Sequence, residues 1–512
     1  MAPTEDSIIA TSSPPHFVLV PLAAPGHMIP MADLALLIAE RGARASLVTT
    51  PVNAARLRGV VERARHAKLP LEIVALPFPP PAAAGDEDDV VLPPGFENID
   101  QIKDNSHFLP LFQAIHRLAG PLEAYLRAQP QARRPSCIVA DWCNSWTAAV
   151  ATRVGVPRLF FHGPSCFYSL CDINVATAAE HGLVPEDESE AYAVPGMPVR
   201  VEVTKATGPG FLNSPGFEAF QEEAMEAMRT ADGAVVNTFL GLEEQFVACY
   251  ETALGKPVWA LGPFCLVNNS RQDVASRGHD ESSGADLQSA VTAWLDAMEP
   301  GSVVYASFGS LARKLPGQLF EVGHGLEDSG KPFLWVVKES EVASPEAQAW
   351  LDALETRTAG RGLVVRGWAP QLAILAHGAV GGFVTHCGWN SVIESMAHGV
   401  PVVTWPHFAD QFLNEKLVVD VLGAGVSVGA AVAPVKLFDD EAVLVLRGDV
   451  ARAVSELMGD GEAAEERRKK AREFGERAHR AVEKGGSSYE NLTRLIQIFG
   501  ENGRSPQGNL KL

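Results

Sequence analysis

The sequence predicts two doubly wound α/β domains, each a parallel sheet with helices on both faces, set against each other across a cleft. Three observations predict it. Short β-branched or aliphatic runs alternate with amphipathic stretches, the pattern of strand–helix–strand units and a parallel sheet. The alternation stops once, in a polar segment, and then restarts. At 512 residues the chain exceeds one ordinary domain and is long enough for two that each bury a core.

In chain order, residues 1–15 read as a disordered leader, because MAPTEDSIIATSSPP has acidic residues where a secretory signal needs basic ones. The first domain, 16–265, opens with the strand HFVLVPL, a helix from about Met28 to Arg41 and the strand ASLVTT. LEIVALP, SCIVAD, RLFFHG and GAVVNTF follow as further strands. An acidic stretch at 85–89, after a Pro-rich run, reads as a mobile surface insertion. Residues 266–286, containing SRQDVASRGHDESSGAD, form the linker. The second domain, 287–485, restarts the pattern with SVVYASF, FLWVVK, GLVVRGW, GGFVTHC and VPVVTWP. Charged amphipathic helices are expected over 462–484 and 489–499, and 486–512 forms a C-terminal helix and tail that packs back on the first domain.

Composition narrows the function. Hydrophobic residues at 46% and charged residues at 20% describe an ordinary globular protein. A formal net charge of -20 excludes a nucleic-acid partner, since nothing would neutralise a run of phosphates. Seven cysteines, an odd number without a C-x-x-C pair, fit a reduced, cytoplasmic chain. The uncharged run from Phe17 to Ala32 is broken by Pro21, Pro25 and Pro30, so no transmembrane segment is expected there. A monomer is the simplest expectation.

Two glycine motifs carry no phosphate site. Gly325 to Lys331 imitates the start of a phosphate loop, yet Pro332 stands where Ser or Thr must hold magnesium, and a helix runs into Gly330. Gly330 is therefore a helix C-cap. Gly423 and Gly425, with Gly429, also follow a helix and have the wrong spacing. No H-E-x-x-H, Cys/His cluster or G-x-S-x-G is present, so neither a metal nor a bound cofactor is expected.

The chemistry concentrates in THCGWNS, residues 385–391. A strand ends near Thr385, a tight turn contains Gly388, and a helix begins around Asn390 or Ser391. Unpaired N–H groups and the dipole at a helix start bind phosphate. Asn390, Ser391 and His386 can add donors, and Glu394, one turn on, can accept from a ribose diol. The alternative is that Asn390 or Ser391 only caps the helix while Trp389 packs in the core. Upstream, the Trp368 indole can stack on a base beside the Gln371 amide; downstream, Asp410 and Gln411 suit sugar hydroxyls. In the first domain, His27 follows the first strand and Asp141 ends SCIVAD, both at carboxyl ends of parallel strands, where open α/β sheets bind ligands. His16 precedes its strand and sits at the wrong end.

The 44 residues WAPQLAILAHGAVGGFVTHCGWNSVIESMAHGVPVVTWPHFADQ, Trp368 to Gln411, closely resemble the plant secondary product glycosyltransferase box of UDP-sugar-dependent glycosyltransferases. The resemblance extends over nearly the whole chain, including HFVLVPLAAPGHMIPM, SVVYASFGS and EKGGSSYENLTRLI. It implies the GT-B arrangement of two Rossmann-like domains. By that resemblance Trp368, Ala369 and Gln371 hold uracil, Glu394 the ribose, and His386, Asn390 and Ser391 the diphosphate. Trp389, Asp410 and Gln411 contact the sugar, and Ser310 in the SFGS turn is a further phosphate contact. The His of G-H-x-x-P is the family's general base, here His27, and Asp141 orients it. Two positions depart from common family patterns: Gly163 stands where some members carry a sugar-touching Thr, and Pro25 where many carry Gln.

The implied activity is inverting O-glucosylation from UDP-glucose, a co-substrate, onto a small hydrophobic hydroxylated plant metabolite: a flavonoid, coumarin, other phenolic or terpenoid. Gln411 favours glucose, since galactose-using relatives tend to carry His there. The acceptor pocket is expected from residues 22–25, the 85–110 insertion, Trp142 and residues 161–168. A catalytically silent UDP-sugar-binding protein is the alternative, against which His27 and Asp141 argue. A glycoside hydrolase needs two carboxylates flanking the scissile bond, and Asp141 is the single candidate.

Overall fold

Residues 13–79, 92–102, 105–210, 216–266, 281–309, 316–430 and 445–502 are described by a computed structural model. The first sheet comprises β1 (His16–Val20), β2 (Arg44–Thr49), β3 (Leu71–Ala75), β4 (Cys137–Asp141), β5 (Arg158–His162), β8 (Gly233–Val236) and β9 (Val258–Ala260). Its order is β3-β2-β1-β4-β5-β8-β9, and every pairing is parallel. The second sheet comprises β10 (Val303–Ser307), β11 (Phe333–Val337), β12 (Gly362–Arg366), β13 (Val380–Thr385), β14 (Val402–Thr404) and β15 (Gly425–Ser427). Its order, β12-β11-β10-β13-β14-β15, is also parallel throughout. A small antiparallel pair, β6 (Tyr192–Ala193) and β7 (Glu202–Val203), lies apart from both.

The central strands are apolar along their whole length because helices cover both faces. All five residues of β1, β4 and β5 are buried. Successive side chains of a strand point to opposite faces. Phe17 and Leu19 therefore pack with Met31, Leu34 and Ile38 of the helix Pro25–Glu40, while Val18 and Val20 pack with Leu111, Leu122 and Val150. In the second sheet Val304 and Ala306 meet Leu319, Val322 and Val454, and Val303 and Tyr305 meet Val392 and Met396.

The chain end returns to the first sheet. In the helix Ser487–Asn502, Leu492, Leu495 and Phe499 join the cluster around Phe17 and Trp259. Ser488 Oγ donates to the Gly262 carbonyl at 2.5 Å and Asn491 Nδ2 to that of Ala260 at 3.2 Å. The Arg41 guanidinium stacks over the Tyr489 ring at 3.4 Å.

Several expectations need correction. The helix expected from Met28 begins at Pro25, a residue pre-set for the first helical position, and it runs through Pro30. His27 thus sits on its first turn rather than in a loop. The helix Glu281–Asp296 starts inside the expected linker 266–286. β6, β7, β9 and β15 were not expected, being two or three residues long, too short for an alternation to register. The leader up to residue 12 and the 85–89 stretch lie outside the described residues. Gly330, with φ 67°, follows the helix Pro316–Asp328 as expected. None of the seven cysteines is paired. Among the described residues no helix is long and apolar enough to cross a membrane.

Gly325 has a packing role instead of the phosphate role its motif imitates. The helix Pro316–Asp328 crosses the helix Arg447–Met458 here, and a Cβ at residue 325 would overlap Val450 and stand 2.9 Å from the Arg447 carbonyl oxygen. Gly325→Ala is expected to destabilise the second domain by roughly 1–3 kcal/mol, as overpacked core substitutions do. Chemical denaturation of the two proteins measures it.

Candidate active site

Each sheet has one place where successive crossovers leave in opposite directions. In the first it lies between β1 and β4; in the second, between β10 and β13. The carboxyl ends of such strand pairs leave a crevice. Asp141 is the last residue of β4, paired beside β1, and His27 lies on the helix that follows β1. His27 Nδ1 and Asp141 Oδ2 are 2.6 Å apart. The carboxylate is buried, and its Oδ1 accepts from the Cys143 N–H at 3.0 Å. The His27 side chain keeps 23% exposure and lines the cleft, so with Nδ1 engaged its Nε2 is the nitrogen available to a ligand. Burial depresses the pKa of His27, but the touching Asp141 carboxylate, with Asp410 across the cleft, outweighs it and the net shift is upward from 6.5.

Two other histidines are structural. His16 is buried against Ser46 Oγ and the Arg133 carbonyl, each at 2.7 Å. His162, at the end of β5, has Ser169 Oγ 2.7 Å from Nδ1, and burial pulls its pKa down to about 4, so it stays neutral. Gly163 lies beside the His27 ring: a Cβ there would stand 3.3 Å from His27 Cε1.

On the second-domain side, β13 ends at Thr385 and the helix Trp389–Ala397 follows, with Gly388 at its N-cap. Neither Asn390 nor Ser391 is the cap. The left-handed residue of the turn is Cys387, φ 65°, and a second non-glycine, Ala409, has φ 55°. Such conformations cost about 1–3 kcal/mol each and collect at functional sites. His386 is held edge to edge between two glycines: a Cβ on Gly388 would stand 2.6 Å from its Nε2, and one on Gly309 2.6 Å from its Cε1.

Gln371 Nε2 donates to Glu394 Oε2 at 2.8 Å and lies 3.3 Å from Ser391 Oγ, so three of the expected donor-binding residues form one connected group. Trp368 and Ala369 line the same cavity. Asn390 Nδ2 reaches across the cleft to the Gly26 carbonyl at 2.6 Å. Trp389, expected to contact the sugar, lines the cavity; its ring is 3% exposed and its indole N–H donates to the Asn237 carbonyl of the first domain at 2.9 Å. Gln411 Oε1 accepts from the His407 and Phe408 N–H groups, which leaves its Nε2 for a ligand. Asp410 has its carboxyl pKa pushed up to about 6 by burial, against the hydrogen bonds from Asn414 and from the Trp389 N–H. Ser310 lies outside the described residues.

Sequence reading missed Asn414. Fully buried, its Nδ2 donates to Asp410 Oδ2 at 2.7 Å and to the Cys387 carbonyl at 2.9 Å, while its Oδ1 accepts from Ser165 Oγ at 3.2 Å. It therefore holds the strained turn, the buried carboxyl and the first domain together. Its place three residues after Gln411, at the end of the Trp368–Gln411 stretch, was the available signal. Between the domains lies a cavity of about 1070 Å³, lined by His27, Trp142, Tyr168, Trp368, His386 and Asp410 among others. Leu22 and Pro25 line it as expected, whereas Phe161 is in the core. Among the described residues no group of three His, Cys, Asp or Glu side chains is placed to hold a metal ion.

The chain matches two family descriptions, "Glycosyltransferase, N-terminal domain" over residues 16–266 and "UDP-glucoronosyl and UDP-glucosyl transferase" over residues 236–436. It is 42% identical over 488 residues to UDP-glycosyltransferase 73C3 of Arabidopsis thaliana, covering 94% of this chain and 95% of that protein. To UDP-glycosyltransferase 73C25 of Barbarea vulgaris it is 40% identical over 494 residues, covering 95% and 96%. The crystal structure of Glycyrrhiza uralensis UGT73P12 complexed with glycyrrhetinic acid 3-O-monoglucuronide matches with a TM-score of 0.85 at 32% identity, covering 95% of this chain and 96% of that one. Phytolacca americana UGT2, complexed with UDP-2fluoro-glucose and pterostilbene, matches with a TM-score of 0.73 at 26% identity over 95% of this chain and 99% of that one. The chain belongs to the UDP-glycosyltransferase family.

Proposed function

We propose that this enzyme transfers glucose from UDP-glucose to a hydroxyl group of a small apolar plant metabolite, a phenolic or terpenoid of secondary metabolism, with inversion at the anomeric carbon. The observation that carries the reading is the His27–Asp141 pair at 2.6 Å, opening on the same cavity as the start of the helix Trp389–Ala397. The relatives complexed with glycyrrhetinic acid 3-O-monoglucuronide and with UDP-2fluoro-glucose and pterostilbene support the acceptor and donor classes. Gln411 supports glucose.

In the reaction, His27 Nε2 takes the proton of the acceptor hydroxyl while Asp141 holds Nδ1–H and balances the imidazolium that forms. The acceptor oxygen attacks the anomeric carbon on the face opposite UDP. The bond from that carbon to the phosphate oxygen breaks, and an α-linked sugar becomes β-linked. The helix start, His386, Asn390 and Ser391 stabilise the departing diphosphate by hydrogen bonds and field, the role a metal plays elsewhere. Trp368, Ala369 and Gln371 hold the uracil, Glu394 the ribose, and Asp410 with Gln411 the sugar hydroxyls. Both halves of the site come from one chain, which suits a monomer, and unpaired cysteines suit a reducing cytosol.

UDP release from UDP-glucose in the presence of pooled phenolic and terpenoid acceptors tests the reading. His27→Ala is expected to lower kcat by roughly 10² to 10⁴, the worth of a general base; a loss within tenfold contradicts the assignment. The pH profile gives a second check. A base must be neutral to accept a proton, so with its pKa raised the His27 limb of kcat rises above pH 6.5. In Asp141→Asn the larger raising carboxylate is gone, and burial, opposed by Asp410 alone, remains, so that limb moves to lower pH as kcat falls. Asp410, whose pKa is about 6, then sets the acidic limit.

A further inference from the structure

Pro30 lies inside the helix Pro25–Glu40. Its nitrogen carries no hydrogen, so the bond that residue 30 would donate to the carbonyl of Gly26, four positions earlier, cannot form. That carbonyl has another donor: Asn390 Nδ2, on the first turn of the helix Trp389–Ala397 in the other domain, is 2.6 Å away. Gly26 immediately precedes the base. A Cβ on Gly26 would stand 3.7 Å from Asn390 Nδ2, an ordinary contact. The proline, rather than the glycine, is what makes the oxygen available.

Resting on the reading that Asn390 faces the diphosphate and His27 is the base, we infer that Pro30 is a positioning residue: it reserves the Gly26 carbonyl for Asn390, so the amide that meets the donor also fixes the turn carrying the base. The chemistry permits both duties, because an amide nitrogen has two hydrogens and can donate to the carbonyl and to a phosphate oxygen at once. The two domains have other ties. Trp389 Nε1 donates to the Asn237 carbonyl at 2.9 Å and Ser165 Oγ to Asn414 Oδ1 at 3.2 Å. Losing the Asn390–Gly26 bond therefore leaves the cleft assembled and changes the register of His27 against the donor. That error falls on the chemical step rather than on donor binding.

Pro30→Ala and Pro30→Val each give residue 30 an N–H that bonds to Gly26 inside the helix and competes with Asn390; Pro30→Val also refills most of the proline's volume. In the full-length enzyme both are expected to lower kcat roughly tenfold with KM for UDP-glucose changed by less than about twofold, since sub-ångström misplacement of a reacting group costs rate before affinity. In an Asn390→Ala background, adding Pro30→Ala lowers kcat no further, the non-additivity of groups acting through one bond. Unchanged kcat in folded proline variants overturns the inference. So does full additivity with Asn390→Ala, or a kcat loss that tracks Tm loss from one proline variant to the other. A wild type that transfers sugar to no acceptor overturns the proposed function instead, and amide exchange then decides the positioning role. UDP slowing exchange of residues 26–29 in the wild type but not in Pro30→Ala sustains it; equal effects in the two proteins overturn it.

Discussion

Between β1 and β4, and again between β10 and β13, crossover connections leave the sheet toward opposite sides, the arrangement that leaves a crevice at the strands' carboxyl ends. Everything at the cleft follows from that constraint. In the first domain the gap receives Asp141 from a strand end and His27 from the helix that follows the neighbouring strand. In the second it receives the turn 385–388 and the N–H groups of a helix start. Because the two domains face each other, the His27–Asp141 pair and the start of the helix Trp389–Ala397 open on one cavity.

The cleft is also where the structure accepts local cost. Cys387 and Ala409 hold left-handed backbone without being glycine, Asp141 is buried, and Asp410 is a carboxyl whose ionisation burial opposes. Cys387, Asp141 and Asp410 are held by specific partners. Cys387 donates its N–H to Thr385 Oγ1 at 3.3 Å and gives its carbonyl to Asn414; Asp141 accepts from Cys143 and pairs with His27. A buried carboxylate is tolerable when such hydrogen bonds replace water. The same contacts stop the groups from moving, which a reaction needing near-contact geometry requires.

Much of this was legible in the sequence because it is local. Strand, turn and helix follow one another within residues 383–397, and THCGWNS compresses its donors into a stretch that periodicity and cap chemistry can read. His27 and Asp141 were legible as polar residues at strand ends. What was not legible depends on distant pairings: Trp389 with Asn237, 152 residues apart, and Asn414 with Ser165, 249 apart, leave no local pattern. Trp389 was named a sugar contact by resemblance alone, its residue type leaving core packing open, and the partner of its indole N–H lies in the other domain. The turn was read around Gly388, and its left-handed residue is Cys387, φ 65°.

With His27 as the base, it and the leaving diphosphate stand on opposite sides of the sugar, a stereochemical property that no binding measurement can imitate. Proton NMR of the product formed from UDP-glucose and a single hydroxylated acceptor reads this through the anomeric coupling. A large trans-diaxial coupling, marking a β-glucoside as the initial product, is the result expected. An α-glucoside would contradict the arrangement of His27 and the donor helix on which the account rests.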